Sequence, residues 1–220
     1  MISIDFEYCS EPKDWGLDTP YKDKPYSVKL FCVSICNEIG THSWWLQDQE
    51  QRNDFIKWFD MNETYLAHAY EIAEAKCLAQ LGIDPGLVNF YDTWTISMLL
   101  NDTREEASLV NMCKKFLGVN IDTDIKELMR SHCIKDETNG HEEEIMRYCE
   151  SDTVYLKPLL EKLAAVYNYR LSLSNCISLG TSLDYNFIDF IESTSNDIRA
   201  SMVISKRGIP VDSEYMKRLQ

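Results

Sequence analysis

The first eight residues alternate between apolar and polar side chains, which is typical of a β-strand with one face in a protein core. The apolar set is Ile2, Ile4, Phe6 and Tyr8. Asp5 and Glu7 fall on the opposite face and point the same way. Strand geometry places such a pair roughly 7 Å apart, close enough to share a divalent cation. A short D-x-E pattern is also common on solvated strand faces, so it needs partners elsewhere in the chain to indicate a site.

The rest of the chain predicts a mixture of strands and helices. A polar segment over residues 11–29 with three prolines and a glycine predicts a loop. Further strands are expected over 27–36, 41–47, 63–68 and 87–91. Helices are expected over 48–60, 70–81, 92–100, 104–117, 124–131 and 142–167, with a polar loop at 135–140. The order strand, helix, strand in the middle of the chain favours parallel pairing and an α/β fold.

The longest expected helix has an apolar stripe that contains one carboxylate. The apolar members of the stripe are Ile145, Cys149, Leu156, Leu159, Leu160 and Leu163. Asp152 lies on the same stripe, and Tyr148 lies one helical turn before it. An ionised carboxylate at a core-facing position is costly unless it is paired or bound to a metal. Asp152 is therefore the most informative single residue in the chain.

The expected helix over 70–81 repeats this pattern more weakly. Glu74 shares a stripe with Leu78 and Leu81, and Glu71 lies about one turn before Glu74. Taken singly, each acid also fits a position at the edge of a helix, reaching solvent. These glutamates become candidates for a site only in combination with the other acids.

Composition limits the possible functions. The formal net charge of −14 disfavours a free-standing nucleic-acid binder on electrostatics alone, because Lys and Arg supply most phosphate affinity. The negative charge is compatible with nucleic-acid binding if the acids bind metal ions or if a neighbouring domain binds the substrate. The eight cysteines lack the spacing of a zinc module and suggest reduced thiols. No apolar run approaches a membrane span, and the N-terminus lacks a basic region followed by an apolar stretch, so a cytoplasmic location without a membrane partner is expected.

Three motifs together resemble the tyrosine branch of the DEDD exonuclease superfamily. They are SIDFEY, AHAYEIAEAKCLAQLGID and YCESD, and their order and spacing are similar to the 3′→5′ exonuclease domain of family A, polymerase I-like DNA polymerases of the phage type. The resemblance implies a ribonuclease H-like mixed sheet of about five strands flanked by helices, over residues 1–165. The run SMVISKRGIPVDSEYMKRLQ resembles the entry to the polymerase portion. Residues 166–220 are therefore expected to be a helical connector and the start of a polymerase-like region.

The resemblance also implies the chemistry of the site. Four carboxylates would hold two Mg²⁺ or Mn²⁺ ions, since oxygen ligands suit hard cations. Asp5 would bridge both metals, and Glu7 and Asp152 would complete one metal site. Glu74 would hold the second metal and Tyr148 would orient the attacking water. The second motif usually carries Asp where this chain has Glu.

Glu71 is the alternative second-motif acid, because it directly follows the aromatic Tyr70. The expected substrate is a single-stranded or frayed 3′ end of DNA, shortened to nucleoside 5′-monophosphates. Phe6, Tyr8 and Tyr70 are candidates for stacking on terminal bases, although each also fits a core position.

A family A polymerase domain, in cis or in trans, is the expected partner. Two alternatives stay open: an RNA exonuclease similar to ribonuclease D, and an inactive scaffold that binds DNA or a protein.

Overall fold

The structure is a computed structural model that describes residues 1–10, 28–101, 107–121, 123–125, 129, 140–177 and 186–207, with the side chains of residues 10, 101, 170–177 and 203–207 left out. Three sequence predictions therefore lie wholly or mostly outside the described residues. These are the loop over 11–29, the helix over 124–131 and the polar loop at 135–140. The GIPVD segment of the tail lies outside them as well.

A five-stranded mixed sheet forms the centre of the fold, as predicted. The strands are β1 (Ile2–Ser10), β2 (Val28–Cys36), β3 (Thr41–Trp45), β4 (Thr64–Ala67) and β5 (Asn89–Asp92). Their order across the sheet is β3-β2-β1-β4-β5. β1 pairs antiparallel with β2 and parallel with β4, and β4 pairs parallel with β5. The strand that carries the first motif is therefore the central strand.

Helices cover both faces of this sheet. They are α1 (Gln49–Trp58), α2 (Glu74–Gln80), α3 (Thr93–Asn101), α4 (Leu109–Met112), α5 (Glu142–Ile177) and α6 (Phe187–Arg207). A π-helical turn, Cys113–Leu117, continues α4 and ends at Gly118, whose φ of 69° is in the left-handed region. Asp48 caps α1 by accepting the backbone N–H groups of Glu50 and Gln51. These elements agree with the predicted order.

The prediction for α2 was wrong at its start. The expected helix over 70–81 begins only at Glu74. Ala69 has a φ of 70°, a left-handed conformation that a right-handed helix does not contain. Residues after Ala69 form a turn, and Tyr70 is fully buried with its ring stacked on Phe90 at 3.7 Å between centroids. The turn leaves Glu74 in the first turn of the shortened helix.

Two hydrophobic cores lie on opposite faces of the sheet. Ile4 and Phe6 of β1 belong to the core under α1 and α2, where Phe6 packs edge-to-face against Phe55. The other core contains Leu156, Leu159 and Leu163 of α5. The apolar stripe of α5 is buried as predicted. Because α5 covers the second face, the face that carries Asp5 and Glu7 is not an open solvated surface.

A β-bulge interrupts the pairing of β1 and β2 next to the first motif. Glu7 lies opposite Cys32 and Tyr8 lies opposite Leu30, so Phe31 is the extra residue of β2. Phe31 is fully buried in the second core, stacked against Trp45. Bulges increase local twist and re-aim neighbouring side chains. This bulge lies directly beside Glu7.

The C-terminal helices extend the fold beyond the expected first domain. α5 continues without interruption through residue 165 to Ile177. α6 then packs back on the preceding part of the fold, where Phe190 stacks on Tyr167 at 4.8 Å. Ile198 of α6 belongs to the first core and Ile191 to the second. None of the helices in the described part of the chain is long and apolar enough to cross a membrane.

The described cysteines are not all reduced thiols. Cys9 at the end of β1 is disulfide-bonded, which corrects the expectation from the sequence at that position. The described cysteines that carry free thiols are Cys32, Cys36, Cys77, Cys113 and Cys149. Two of them, Cys32 and Cys149, lie beside the acidic site.

Candidate metal centre and exonuclease site

The structure brings Asp5, Glu7 and Asp152 together. One carboxylate oxygen from each of the three lies within 4.8 Å of the others. Asp5 and Glu7 come from alternate positions of β1, and Asp152 comes from the face of α5 that packs on the sheet. Asp152 is only 5% exposed, as its place on the apolar stripe predicts. The first and third sequence motifs therefore form one cluster of acids.

A row of hydroxyl groups fixes α5 over this part of the sheet. In the register of the sheet, Asp5 lies opposite Ser34 of β2, and Ser34 lies opposite Ser43 of β3. The Ser43 hydroxyl donates to Oε1 of Glu150 on α5 at 2.6 Å, so the hydrogen bond of 2.8 Å between the two serines runs from Ser34 to Ser43. This chain ties the middle of α5, between Tyr148 and Asp152, to the outer strand of the sheet.

Cys149 makes a second link between α5 and β1. Its thiol lies 3.3 Å from the backbone carbonyl oxygen of Asp5 and 3.4 Å from Oδ2 of the same residue. Burial and the neighbouring Cys32 thiol raise the pKa of Cys149 well above its ordinary value. Cys149 is therefore a neutral thiol that can donate its S–H to Asp5.

Tyr148 lies beside the same acids and is nearly buried, at 6% exposure. Burial, then the charge of Asp152, raises the pKa of the Tyr148 hydroxyl above its ordinary value of 10. The side chain is therefore a phenol at neutral pH. A phenol can donate a hydrogen bond and accept one, but it does not act as a base in this state.

Glu74, at the start of α2, is completely buried and is not among the three acids whose oxygens lie within 4.8 Å of one another. Neither of its carboxylate oxygens has a hydrogen-bond partner among the described residues. Burial, and next the charge of Asp5, raises the pKa of Glu74 well above its ordinary value of 4.5. A buried carboxyl without a hydrogen-bond partner among the described residues is costly, so packing alone does not explain a glutamate at position 74.

Glu71, the alternative second-motif acid, has a different environment. It is partly exposed, and its Oε1 accepts a hydrogen bond of 3.1 Å from the Ser201 hydroxyl on α6. Its carboxylate is engaged with the C-terminal helix, while the Asp5 charge acts on Glu74. These two environments favour Glu74 over Glu71 as the second-motif acid.

Asp92 organises the turn that precedes Glu74, a role that sequence analysis missed. At the start of α3, Asp92 accepts hydrogen bonds from the N–H of Trp94 and the hydroxyl of Thr95. It also accepts the N–H of Ala69 at 2.7 Å, which holds the left-handed residue of the turn. Asp92 is 2% exposed. The next residue, Thr93, is hydrogen-bonded to the ring of His68 at 2.9 Å. The carboxyl end of β5 therefore fixes the route of the chain into α2.

The three aromatic candidates for base stacking lie in different environments. Phe6 and Tyr70 are buried in the first core, at 3% and 0% exposure, which agrees with the core alternative for both. Tyr8 is partly exposed, and its hydroxyl donates to the carbonyl oxygen of Ile72 at 3.4 Å. Tyr8 also packs against the first core, so of the three it is the one that is buried only in part.

The acids of this site fit a divalent cation. Three carboxylate oxygens from separate parts of the chain converge, and a fourth carboxyl is buried nearby without a hydrogen-bond partner among the described residues. Carboxylate oxygens are the ligands that Mg²⁺ and Mn²⁺ prefer. Without a cation the acids repel one another, which is the physical cause of the effect of Asp5 on the pKa of Glu74.

Comparison with known families gives this arrangement its class. The family model of the 3′-5′ exonucleases matches residues 23–167, which is more than half of the chain. The chain belongs to this 3′-5′ exonuclease family. The matched span includes Glu74, Tyr148 and Asp152, whereas Asp5 and Glu7 precede it. A search of curated protein sequences found no match.

Solved exonuclease structures share the fold. Ribonuclease D of Escherichia coli, an exoribonuclease involved in structured RNA processing, superposes with a TM-score of 0.58 at 14% identity, over 94% of this chain and 45% of that one. The catalytic core of RRP6 from Trypanosoma brucei gives 0.52 at 14% identity, over 90% of this chain and 45% of that one. NrnC of Brucella melitensis with bound Mg²⁺ superposes with a TM-score of 0.51 at 16% identity, over 94% of this chain and 81% of that one.

At these identities the superpositions establish the fold alone. The expected ribonuclease H-like architecture is confirmed, and the chain spans less than half of the length of the ribonuclease D chain.

Proposed function

We propose that this chain is a metal-dependent 3′→5′ exonuclease that removes nucleotides from the 3′ ends of DNA, as the proofreading module of a family A DNA polymerase. The observation that carries the proposal is the convergence of Asp5, Glu7 and Asp152 within 4.8 Å, on a fold and in a family of 3′-5′ exonucleases. Hydrolysis of the terminal phosphodiester would release a nucleoside 5′-monophosphate.

Asp5, Glu7, Asp152 and Glu74 are the residues that would hold the metals, two Mg²⁺ or Mn²⁺ ions. When bound, such a pair activates a water molecule and stabilises the leaving 3′-oxygen. The buried position of Glu74 supports its assignment over Glu71, because a cation would compensate a carboxyl that now lacks a hydrogen-bond partner among the described residues. The number of ions and the role of each acid are part of the proposal.

Tyr148 would position the attacking water. Because its pKa is raised above 10, the phenol keeps its proton at neutral pH and donates a hydrogen bond instead of removing a proton. Tyr8, partly exposed beyond Glu7 on β1, would stack on a terminal base that has left the duplex. These roles place chemistry and substrate contacts at one end of the central strand.

An RNA exonuclease is the second candidate. The structural similarity to ribonuclease D and to the RRP6 core supports it, since one of these proteins is described as an exoribonuclease that processes structured RNA. The resemblance of residues 201–220 to the start of a polymerase region supports the DNA alternative and a polymerase partner, in cis or in trans. The acidic net charge fits a module that relies on such a partner to grip nucleic acid.

The test is a digestion of 5′-labelled single-stranded DNA and of an RNA of the same sequence, with Mg²⁺, Mn²⁺ or EDTA. A metal-dependent ladder that shortens from the 3′ end, faster on DNA than on RNA, is the expected result. Faster shortening of RNA would replace the DNA proposal with the RNA one. Absence of cleavage with either metal, in the presence of a family A polymerase domain as well, would contradict both and leave a scaffold.

A further inference from the structure

The Cys149 side chain touches a site acid directly, although no sequence motif assigns it a role. The thiol faces both the carbonyl oxygen and Oδ2 of Asp5, at 3.3 and 3.4 Å. Cys149 is fully buried and carries a free thiol. It lies directly after Tyr148 and three residues before Asp152 in the third motif. One side chain of the third-motif helix thus reaches the acid of the first motif.

Packing alone accounts poorly for this contact. A buried cysteine commonly behaves as a small apolar residue, and Cys113 is one, equally buried in the same core. Burial, and next the charge of Asp152, raises the pKa of Cys113, but its thiol forms no hydrogen bond with a site carboxylate in the described part of the chain. Cys149 instead directs its sulfur at two oxygens of one residue, and the Cys32 thiol lies beside it, with Cys32 paired opposite Glu7 on the neighbouring strand.

We propose that Cys149 is a positioning residue that orients the Asp5 carboxylate for metal binding through its S–H hydrogen bond. Groups that hydrogen-bond to metal ligands fix the orientation of those ligands, and their loss typically weakens metal binding by about 10- to 100-fold. A hydrogen bond to Oδ2 restricts rotation of the Asp5 carboxylate, one oxygen of which lies within 4.8 Å of oxygens of Glu7 and Asp152. This inference rests on the proposed metal-dependent function, because it concerns the same carboxylate.

The experiment measures Mn²⁺ binding without substrate, by isothermal titration, for the wild type, Cys149→Ala, Cys149→Ser and Cys113→Ala. Cys149→Ala removes the donor with a small loss of volume and is expected to raise the Kd for Mn²⁺ by about tenfold. Cys149→Ser restores a hydroxyl donor and is expected to stay within about threefold of the wild type. Cys113→Ala removes the same atom from the same core and is expected to leave the Kd unchanged.

Unfolding temperatures measured in EDTA separate a positioning role from a structural one. The two alanine variants are expected to lose similar stability, since both remove one buried sulfur, while only Cys149→Ala loses metal affinity. An unchanged Kd for Cys149→Ala would overturn the inference, as would equal losses in Cys149→Ala and Cys149→Ser, or a Cys113→Ala variant that loses as much affinity. A wild type that binds no Mn²⁺ would overturn the proposed metal-dependent function together with this inference.

Discussion

The carboxylate of Asp5 on the central strand acts on the buried carboxyl of Glu74 at the start of α2, and its negative charge is the largest cause after burial of the raised Glu74 pKa. The two acids belong to different sequence motifs and to different layers of the fold. Their mutual repulsion means that the folded protein without metal carries an electrostatic penalty at this point. Measurements of protein stability without substrate should therefore respond to metal binding and to changes in these acids.

Glu74 gives the metal-free protein a specific dependence on pH. Because the folded-state pKa of Glu74 is raised above its ordinary 4.5, the native state retains a proton that the unfolded state releases. In EDTA the free energy of unfolding should therefore fall as pH rises above about 4.5, until the folded-state pKa is passed. Glu74→Gln should make this fall shallower. Urea unfolding between about pH 5 and pH 8 measures it, and Glu143→Gln, an exposed acid on α5, is the matched control.

The two second-motif glutamates should differ sharply in activity. Glu74→Gln removes the carboxyl that would ionise to hold a metal ion near Asp5, so we expect a loss of more than about 100-fold in kcat/KM. Glu71→Gln keeps an oxygen that can accept the Ser201 hydrogen bond, so activity should stay within about twofold of the wild type. Rates of 3′-end shortening at saturating Mn²⁺ measure both variants. Equal and mild effects would show that neither glutamate serves as the second-motif acid.

Removal of either central acid should abolish activity without unfolding the protein. Asp5→Ala and Asp152→Ala each take one oxygen donor from the cluster, and we expect losses of more than about 100-fold in the rate of 3′-end shortening. Because clustered acids repel without metal, thermal unfolding in EDTA should show unchanged or slightly higher stability. Near-normal activity in either variant would contradict the site assignment, and a large drop in melting temperature would point to a structural role instead.

Asp92 should contribute to both stability and metal affinity. Asp92→Ala removes the cap of α3 and the acceptor of the Ala69 N–H, which should cost about 1–2 kcal/mol, or roughly 2–8 °C in melting temperature. Since the turn at Ala69 leads into α2, the affinity for Mn²⁺ should fall as well. Asp92→Asn keeps an accepting oxygen and should recover most of both losses. Failure of Asn to recover them would indicate that the charge of Asp92 matters more than its hydrogen bonds.

Local patterns were enough to predict the parts of the fold that depend on them. The alternation through Asp5 and Glu7 predicted β1, and the stripe containing Asp152 predicted both the long helix and its buried acid. Each of these signals lies in one segment and has one periodicity. The convergence of the first and third motifs came from the family resemblance, because contacts between distant segments leave no periodic pattern in either segment.

Other features depended on interactions that the sequence pattern does not display. The late start of α2 comes after a turn that begins at the left-handed Ala69, whose backbone N–H donates to Asp92 at the end of β5. The contact of Cys149 with Asp5 and the hydrogen bond between Ser43 and Glu150 arise only once α5 lies on the sheet. In both cases tertiary contacts decide what the local sequence leaves open.

The contact between Cys149 and Asp5 joins residues that are 144 positions apart in the chain. Contacts of such large sequence separation carry a high cost in loop-closure entropy and form slowly relative to local structure. A chain emerging from the ribosome therefore presents β1 long before α5 is available to complete the acidic cluster. The cluster of Asp5, Glu7 and Asp152 is therefore complete only after α5 has been synthesised and has docked on the sheet.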